Sequence, residues 1–252
     1  MREKKWSYYE TRLKIKSDKD ESIESAIDTI IRERKKLERF IYRKPEFRNS
    51  LEPLNLHEDN YSGIIRLMLR ASKIAGTGPF AAVAGSISQI GKEEGIKKDA
   101  VNMVIDNGGD IAIEGNRNFL IAIYAGSSLA SEKFAFSIDS DTLPLGVCTS
   151  SASVGHSVSL GEADAVTVVA KEASIADAAA TEIANKVSGN DVELSIKKGL
   201  DRADDILEIR GCLIIRDNQI GTVGKLPQVL SLTEEDREKA RELVIDSLQF
   251  IE

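Results

Sequence analysis

Residues 145–185, LGVCTSSASVGHSVSLGEADAVTVVAKEASIADAAATEIAN, limit what this chain can become more than any other stretch. The segment gathers a thiol, a serine and threonine cluster, a histidine and an Asp/Thr pair at helical spacing among mostly small and apolar residues. Within it, AVTVVA at 165–170 reads as a buried strand, and 174–187 as an alanine-rich helix following directly. Any chemistry the chain performs is expected here, with Asn107-Gly108-Gly109-Asp110 as the upstream segment expected to face it.

The rest of the chain supplies a scaffold in blocks. Residues 11–16 alternate polar and apolar as a half-buried strand does. Ser17-Asp18-Lys19-Asp20 offers N-caps for a long helix to about Tyr42, with Ile23, Ile27, Ile30, Leu37 and Ile41 at helical spacing and Pro45 closing it. Residues 44–62 read as a long surface loop suited to covering a site. A second helix is predicted over 63–74, ending at Gly76-Thr77-Gly78-Pro79, and a third begins at Pro79. The small side chains of Ala81 to Ser86 permit either close packing or an anion at the helix N-terminus. Strand-like runs at 101–105, 111–114, 119–124 and 134–138 suggest an antiparallel sheet. A helix at 191–200, a hairpin joining 212–216 to 219–223 through Asp217-Asn218, and a helix capped by Thr233 complete the reading. The fold class is therefore α+β, in one domain over 1–252 with a strand–helix subregion at 1–62.

Composition narrows the function. No apolar run is long enough for a membrane span, and MREKKWSYYE lacks the apolar core of a signal peptide, so the cytoplasm is the expected compartment. Cys148 and Cys212 lie far apart without a CxxC or Cys/His cluster, which indicates neither a disulfide framework nor structural zinc. The net charge of -7 argues against nucleic-acid binding. Residues 1–43 carry +4 and the remainder -11, and the basic run from Arg32 to Arg43 is either a solvated helix face or a dock for an anionic partner.

Each candidate residue has a bland reading beside a chemical one. Gly108-Gly109 admits positive φ and exposes bare backbone to a ligand, with Asp110 to orient a hydroxyl or metal-bound water, but Asn-Gly between strands is also a plain hairpin signal. Asp177 and Thr181 project from one helix face and offer hard oxygen ligands to Mg²⁺, whereas Ser174-Ile175-Ala176-Asp177 also resembles a capping box. His156 is either a general base or a structural histidine. Cys148, beside Thr149, Ser150 and Ser151, is either a reactive thiolate or a small core residue. An exposed strand at 212–216 would let two copies join as a homodimer.

The order of these motifs resembles the FAD:protein FMN transferase family, the ApbE-like proteins. The likeness runs through Gly-Gly-Asp after a strand, a Thr-Ser turn, a histidine, AVTVVA, and a helix opening Ala-Asp-Ala-x-x-Thr. RKPEFRNSLEPL, GTGPFAAVAGSISQ, DNGGDIAIEG and GVCTSSASVGHSVSLGEADAVTVVA resemble a related branch of cytoplasmic archaeal and bacterial proteins through most of the chain. The resemblance implies an ApbE-like fold with a cleft between sheet and helices. It implies Mg²⁺ at Asp177 and Thr181, and FAD or another nucleotide along Gly108, Gly109, Asp110, Thr149, Ser150 and Ser151, with His156 positioning a diphosphate. The transferases carry a His-Ile-Ile-Asp-Pro-x-Thr-Gly block where this chain has Gly155-His156-Ser157-Val158-Ser159. The related branch implies instead a part in sulfur incorporation, forming homocysteine from aspartate semialdehyde with a ferredoxin-containing sulfurtransferase as partner and Cys148 as sulfur acceptor. A Mg²⁺-dependent flavin or nucleotide transferase is the alternative, and a non-catalytic flavin- or anion-binding protein is the third reading.

Overall fold

The computed structural model describes residues 1–123, 134–151 and 161–232. Eight strands form one antiparallel sheet in the order β1 (Arg2–Tyr8), β2 (Thr11–Ser17), β3 (Met103–Asn107), β4 (Asp110–Glu114), β7 (Leu145–Ser150), β8 (Ala165–Ala170), β9 (Ile209–Arg216) and β10 (Gln219–Gly224). A second sheet orders β11 (Gln228–Ser231), β6 (Phe134–Ile138) and β5 (Phe119–Ala122). Six helices fill the other layer among the described residues: α1 (Asp20–Arg43), α2 (Glu46–Asn49), α3 (Ile64–Ala75), α4 (Val83–Lys97), α5 (Ala173–Lys186) and α6 (Val192–Asp204). The α+β expectation holds.

Strand alternation sorts the core into two parts. Ile105, Ala112, Cys148, Val166 and Val168 face the helices, whereas Val104, Ile113, Val147, Ala165 and Val169 pack against Phe136 and Ile138 of the smaller sheet. The central strands are covered on both faces, which is why AVTVVA has no polar face to show.

Several expectations need correction. The four strand runs in the middle of the chain do not make one sheet, because β5 leaves β4 and pairs with β6, which pairs in turn with β11. Strand β9 is not exposed: it lies between β8 and β10 with residues 211–216 all buried, so it offers no edge to a second copy. Among the described residues the edges are β1, which the alternation at 11–16 did not reveal, and β10. Residues 44–62 are not a free cover, since α2 buries Phe47 fully and Leu54, Leu56 and Tyr61 pack on the core. Tyr124 and the helix expected after Thr233 lie outside the described residues.

Glycines bring three elements closer than larger residues allow. A Cβ on Gly146 of β7 would lie 2.4 Å from the Ala173 Cα, and one on Gly85 of α4 would lie 2.3 Å from the Ala173 carbonyl oxygen. The small-sided start of the third predicted helix is thus a packing surface, preceded by a 3-10 turn at Pro79–Ala82. Both contacts are with backbone, which cannot rotate away. Gly146→Ala is therefore expected to destabilise the protein by about 1–3 kcal/mol, read from the midpoint of urea unfolding.

Candidate functional site

The site lies where the β3–β4 turn, the end of β7, the start of α4 and the first turns of α5 converge. Asn107 and Asp110 are paired across a two-residue turn, and Gly108 and Gly109 both take positive φ, 67° and 104°. The hairpin reading is correct, and it does not exclude the chemical one. A Cβ on either glycine would meet nothing within 4 Å, so the turn borders open space. The Asp106 carboxylate fixes it by accepting from the Gly109 N–H at 2.8 Å. Asn107 donates to the Ala84 carbonyl at 3.3 Å, and the Ser88 hydroxyl donates to the Asp110 carbonyl at 2.7 Å, which ties the turn to α4.

Asp177 comes to the same place from α5. It is 9% exposed, and its Oδ2 accepts from the Gly85 N–H at 2.8 Å, with the Ala84 N–H as a second donor. The capping-box reading is therefore overturned. Helix α5 starts at Ala173, so Ser174 is already inside it, and its hydroxyl donates to Gln89 Oε1 at 2.9 Å. Asp177 caps the neighbouring helix instead. The anion foreseen at the start of that helix is one of the protein's own side chains.

Cys148 sits between the two carboxyls. Its thiol is 3.3 Å from the Ala173 carbonyl oxygen and within hydrogen-bonding reach of Asp110, which also accepts from the Thr149 N–H. Burial pushes the Asp110 carboxyl well above the usual range, and the Asp177 and Asp106 charges push it further. Burial raises Asp177 to about 7 against the pull of the Gly85 and Ala84 amides. The Cys148 thiol is also pushed well up, by burial and then by both aspartates. The role of Cys148 as an accessible thiolate is corrected on these grounds: it is 0% exposed, and its titrating neighbours are acidic, which disfavours the thiolate.

The other expected residues divide. Alternation along β7 puts Thr149 on the opposite face, where its hydroxyl meets that of Thr167 at 2.9 Å, so Thr149 and Ser150 do not form one cluster of side chains. Ser150 and Ser151 are buried, and Thr181, one turn beyond Asp177, is half-buried. His156 lies outside the described residues. Sequence reasoning missed the Ala84 and Gly85 amides as partners of Asp177, because nothing local marks a contact 92 residues away.

The family model described as "AbpE bacteria" matches residues 2–210. The chain belongs to this family. It is similar to a UPF0280 protein of Methanococcus aeolicus, 41% identical over 92% of this chain and 93% of that one. Another UPF0280 protein, from Methanothermobacter thermautotrophicus, is 46% identical over 80% and 78% of the two chains. Among solved structures, the flavin transferase ApbE of Vibrio cholerae superposes with a TM-score of 0.55 at 13% identity, covering 90% of this chain and 96% of that one. The apo flavinyl transferase ApbE of Pseudomonas stutzeri gives 0.52 at 14% identity, over 88% and 94%. At such identity the likeness establishes the ApbE fold, and none of the described helices is long and apolar enough to cross a membrane.

The raised carboxyls have a thermodynamic signature. Between the ordinary Asp value of 3.8 and about 7, the folded protein holds a proton on Asp177 that the unfolded chain has released. Stability is thus expected to fall as pH rises through that window, and Asp110 adds to the same trend. Urea midpoints measured across it should show a shallower slope in Asp177→Asn than in the wild type.

Proposed function

We propose that the chain is a flavin-nucleotide transferase in which Asp110 and Asp177 hold a divalent cation, Mg²⁺ in the first instance, against the diphosphate of FAD. The observation that carries this reading is the pair of carboxyls, Asp177 buried and Asp110 half-buried, delivered to one place by a helix and a hairpin turn and bordered by the open backbone of Gly108 and Gly109. Burial penalises ionisation of both carboxyls, and at Asp110 the neighbouring aspartates add to the penalty. A cation between them relieves the same penalty.

The donor set suits a hard ion. Among the described residues no group of three or more His, Cys, Asp or Glu is placed to hold a metal, so two carboxylates would be completed by the Thr181 hydroxyl, water and phosphate oxygens. Such a partial, oxygen-only set matches the way Mg²⁺ is bound beside phosphates. The cation supplies charge neutralisation of the diphosphate and of the leaving nucleotide. The chain's own residues hold the geometry. The Ala84 and Gly85 amides orient Asp177, the Thr149 amide and the Cys148 thiol orient Asp110, and the two glycines let a phosphate approach bare backbone. The ApbE fold, shared with solved flavin transferases, supports this choice over a metal site of another kind.

Homocysteine formation with a sulfurtransferase partner, the other activity the resemblance implies, would need a sulfur carrier other than these cysteines. Cys148 and Cys212 are both fully buried, and burial pushes both thiols up.

FAD binding measured by flavin fluorescence should tighten at least about tenfold with Mg²⁺, with AMP released on incubation with an acceptor protein. Asp177→Asn and Asp110→Asn should abolish the Mg²⁺-dependent part while leaving the far-ultraviolet circular dichroism unchanged. FAD bound equally well in chelator and in Mg²⁺ would sink the cation reading, and Mg²⁺-dependent binding without AMP release would assign a flavin-binding role instead.

A further inference from the structure

A cleft of about 480 Å³ opens towards the opposite end of β4 from Asp110. Asp110 begins β4 and belongs to the carboxylate site, whereas Glu114 ends β4 and pairs with Lys92 of this cleft at 2.8 Å. Helix α3 contributes Arg66 and Arg70, α4 contributes Gln89, Lys92 and Glu93, and the junction of β8 with α5 contributes Lys171 and Glu172. Four cations and two carboxylates line it, and two of the cations, Lys92 and Arg66, are paired with Glu114 and Asp59 beside the cleft.

The floor is fixed. The Gln89 amide nitrogen donates to Glu93 at 3.0 Å and Glu172 at 3.4 Å, and its carbonyl oxygen accepts from the Ser174 N–H and hydroxyl at 3.1 and 2.9 Å. Lys92 is held by Glu114 with its side chain 9% exposed. The walls keep donors in reserve. Nη1 of Arg70 meets both oxygens of Glu172, at 2.7 and 2.8 Å, which orients the guanidinium, and no described residue takes its Nε and Nη2 donors. Arg66 pairs with the exposed Asp59 at 3.3 Å, and Lys171 is exposed and bonded to no other described residue. A pre-oriented guanidinium with an ammonium beside it, over a rigid polar floor, is a receptor for a multivalent oxyanion.

We propose that this cleft binds a small phosphorylated metabolite, whose phosphate is taken by Arg70 and Lys171 with Arg66 at the rim. Phosphate is favoured over carboxylate because the planar guanidinium fork of Arg70 and the ammonium of Lys171 offer more donors than the two oxygens of one carboxylate take up, whereas a phosphate presents three or more oxygens to them. The volume suits a metabolite and is too small for a macromolecular segment.

Inorganic phosphate and pyrophosphate, titrated into the full chain by calorimetry in chelator at constant ionic strength, are the probes. Saturable binding is expected, weakened at least about tenfold in Lys171→Ala and in Arg70→Gln and unchanged in Asp177→Asn. Because Lys171 is exposed, its variant tests the cleft without a folding defect. No saturable heat with either probe, unchanged affinity in both cleft variants, tighter binding of succinate than of pyrophosphate, or loss of binding in Asp177→Asn would each overturn the proposal. The last outcome would place the anion at the carboxylate site, and chelator keeps that site's cation-dependent behaviour out of the measurement.

Discussion

The carboxylate of Asp177 on the first amides of α4 is the contact from which the functional end of the molecule is built. With the bonds from Ser174 to Gln89, it joins two helices that are separated in sequence by most of the central strands. Helix α5 rests on β7 through Gly146, and α4 rests on β3 where Gly91 and Gly95 admit the side chains of Ile105 and Met103. Once both helices are seated and linked, Asp110 and Asp177 have no freedom to move apart. Their proximity is a result of packing.

The arrangement sets structure against charge. A carboxylate at a helix N-terminus is stabilised by amides and macrodipole, yet burial beside a second carboxyl penalises the same ionised form. The raised value of about 7 records that the penalty prevails. Cys148 is well chosen as the residue between them. Serine there would need a stronger donor and acceptor balance in a space that is 0% exposed, and alanine would leave Asp110 without its side-chain partner. A weak donor of small volume satisfies both sides, and the same surroundings keep its sulfur unreactive.

Much of this was legible in the sequence because it rests on local rules. The period of residues 11–16, the isoleucines of α1, the apolar run of β8 and the Gly-Gly turn each follow from neighbours a few residues away, and the structure holds them. What stayed hidden depended on partners distant in the chain. Ser174 and Asp177 spell a capping box, but the helix starts at Ala173 and both side chains turn to α4. Thr149, Ser150 and Ser151 read as a cluster until the pleat sends Thr149 to the opposite face. Strand β9 looked like an edge because its hairpin partner is visible in sequence, whereas its other neighbour, β8, is not. Likewise Phe47, Leu54, Leu56 and Tyr61 lie in a polar stretch with no period, and only the tertiary packing shows that they anchor it.

The margins of the large sheet carry a last consequence. On one side β1 ends the sheet with Arg2, Lys4 and Lys5 in a seven-residue strand, and on the other β10 contains Gly221 and ends at Gly224. Cationic side chains along one border strand and glycine interruptions in the other, each an edge among the described residues, discourage addition of a foreign strand. An antiparallel sheet this wide is a standing template for self-association in a crowded cell, and its composition at both borders is a form of protection that has nothing to do with catalysis.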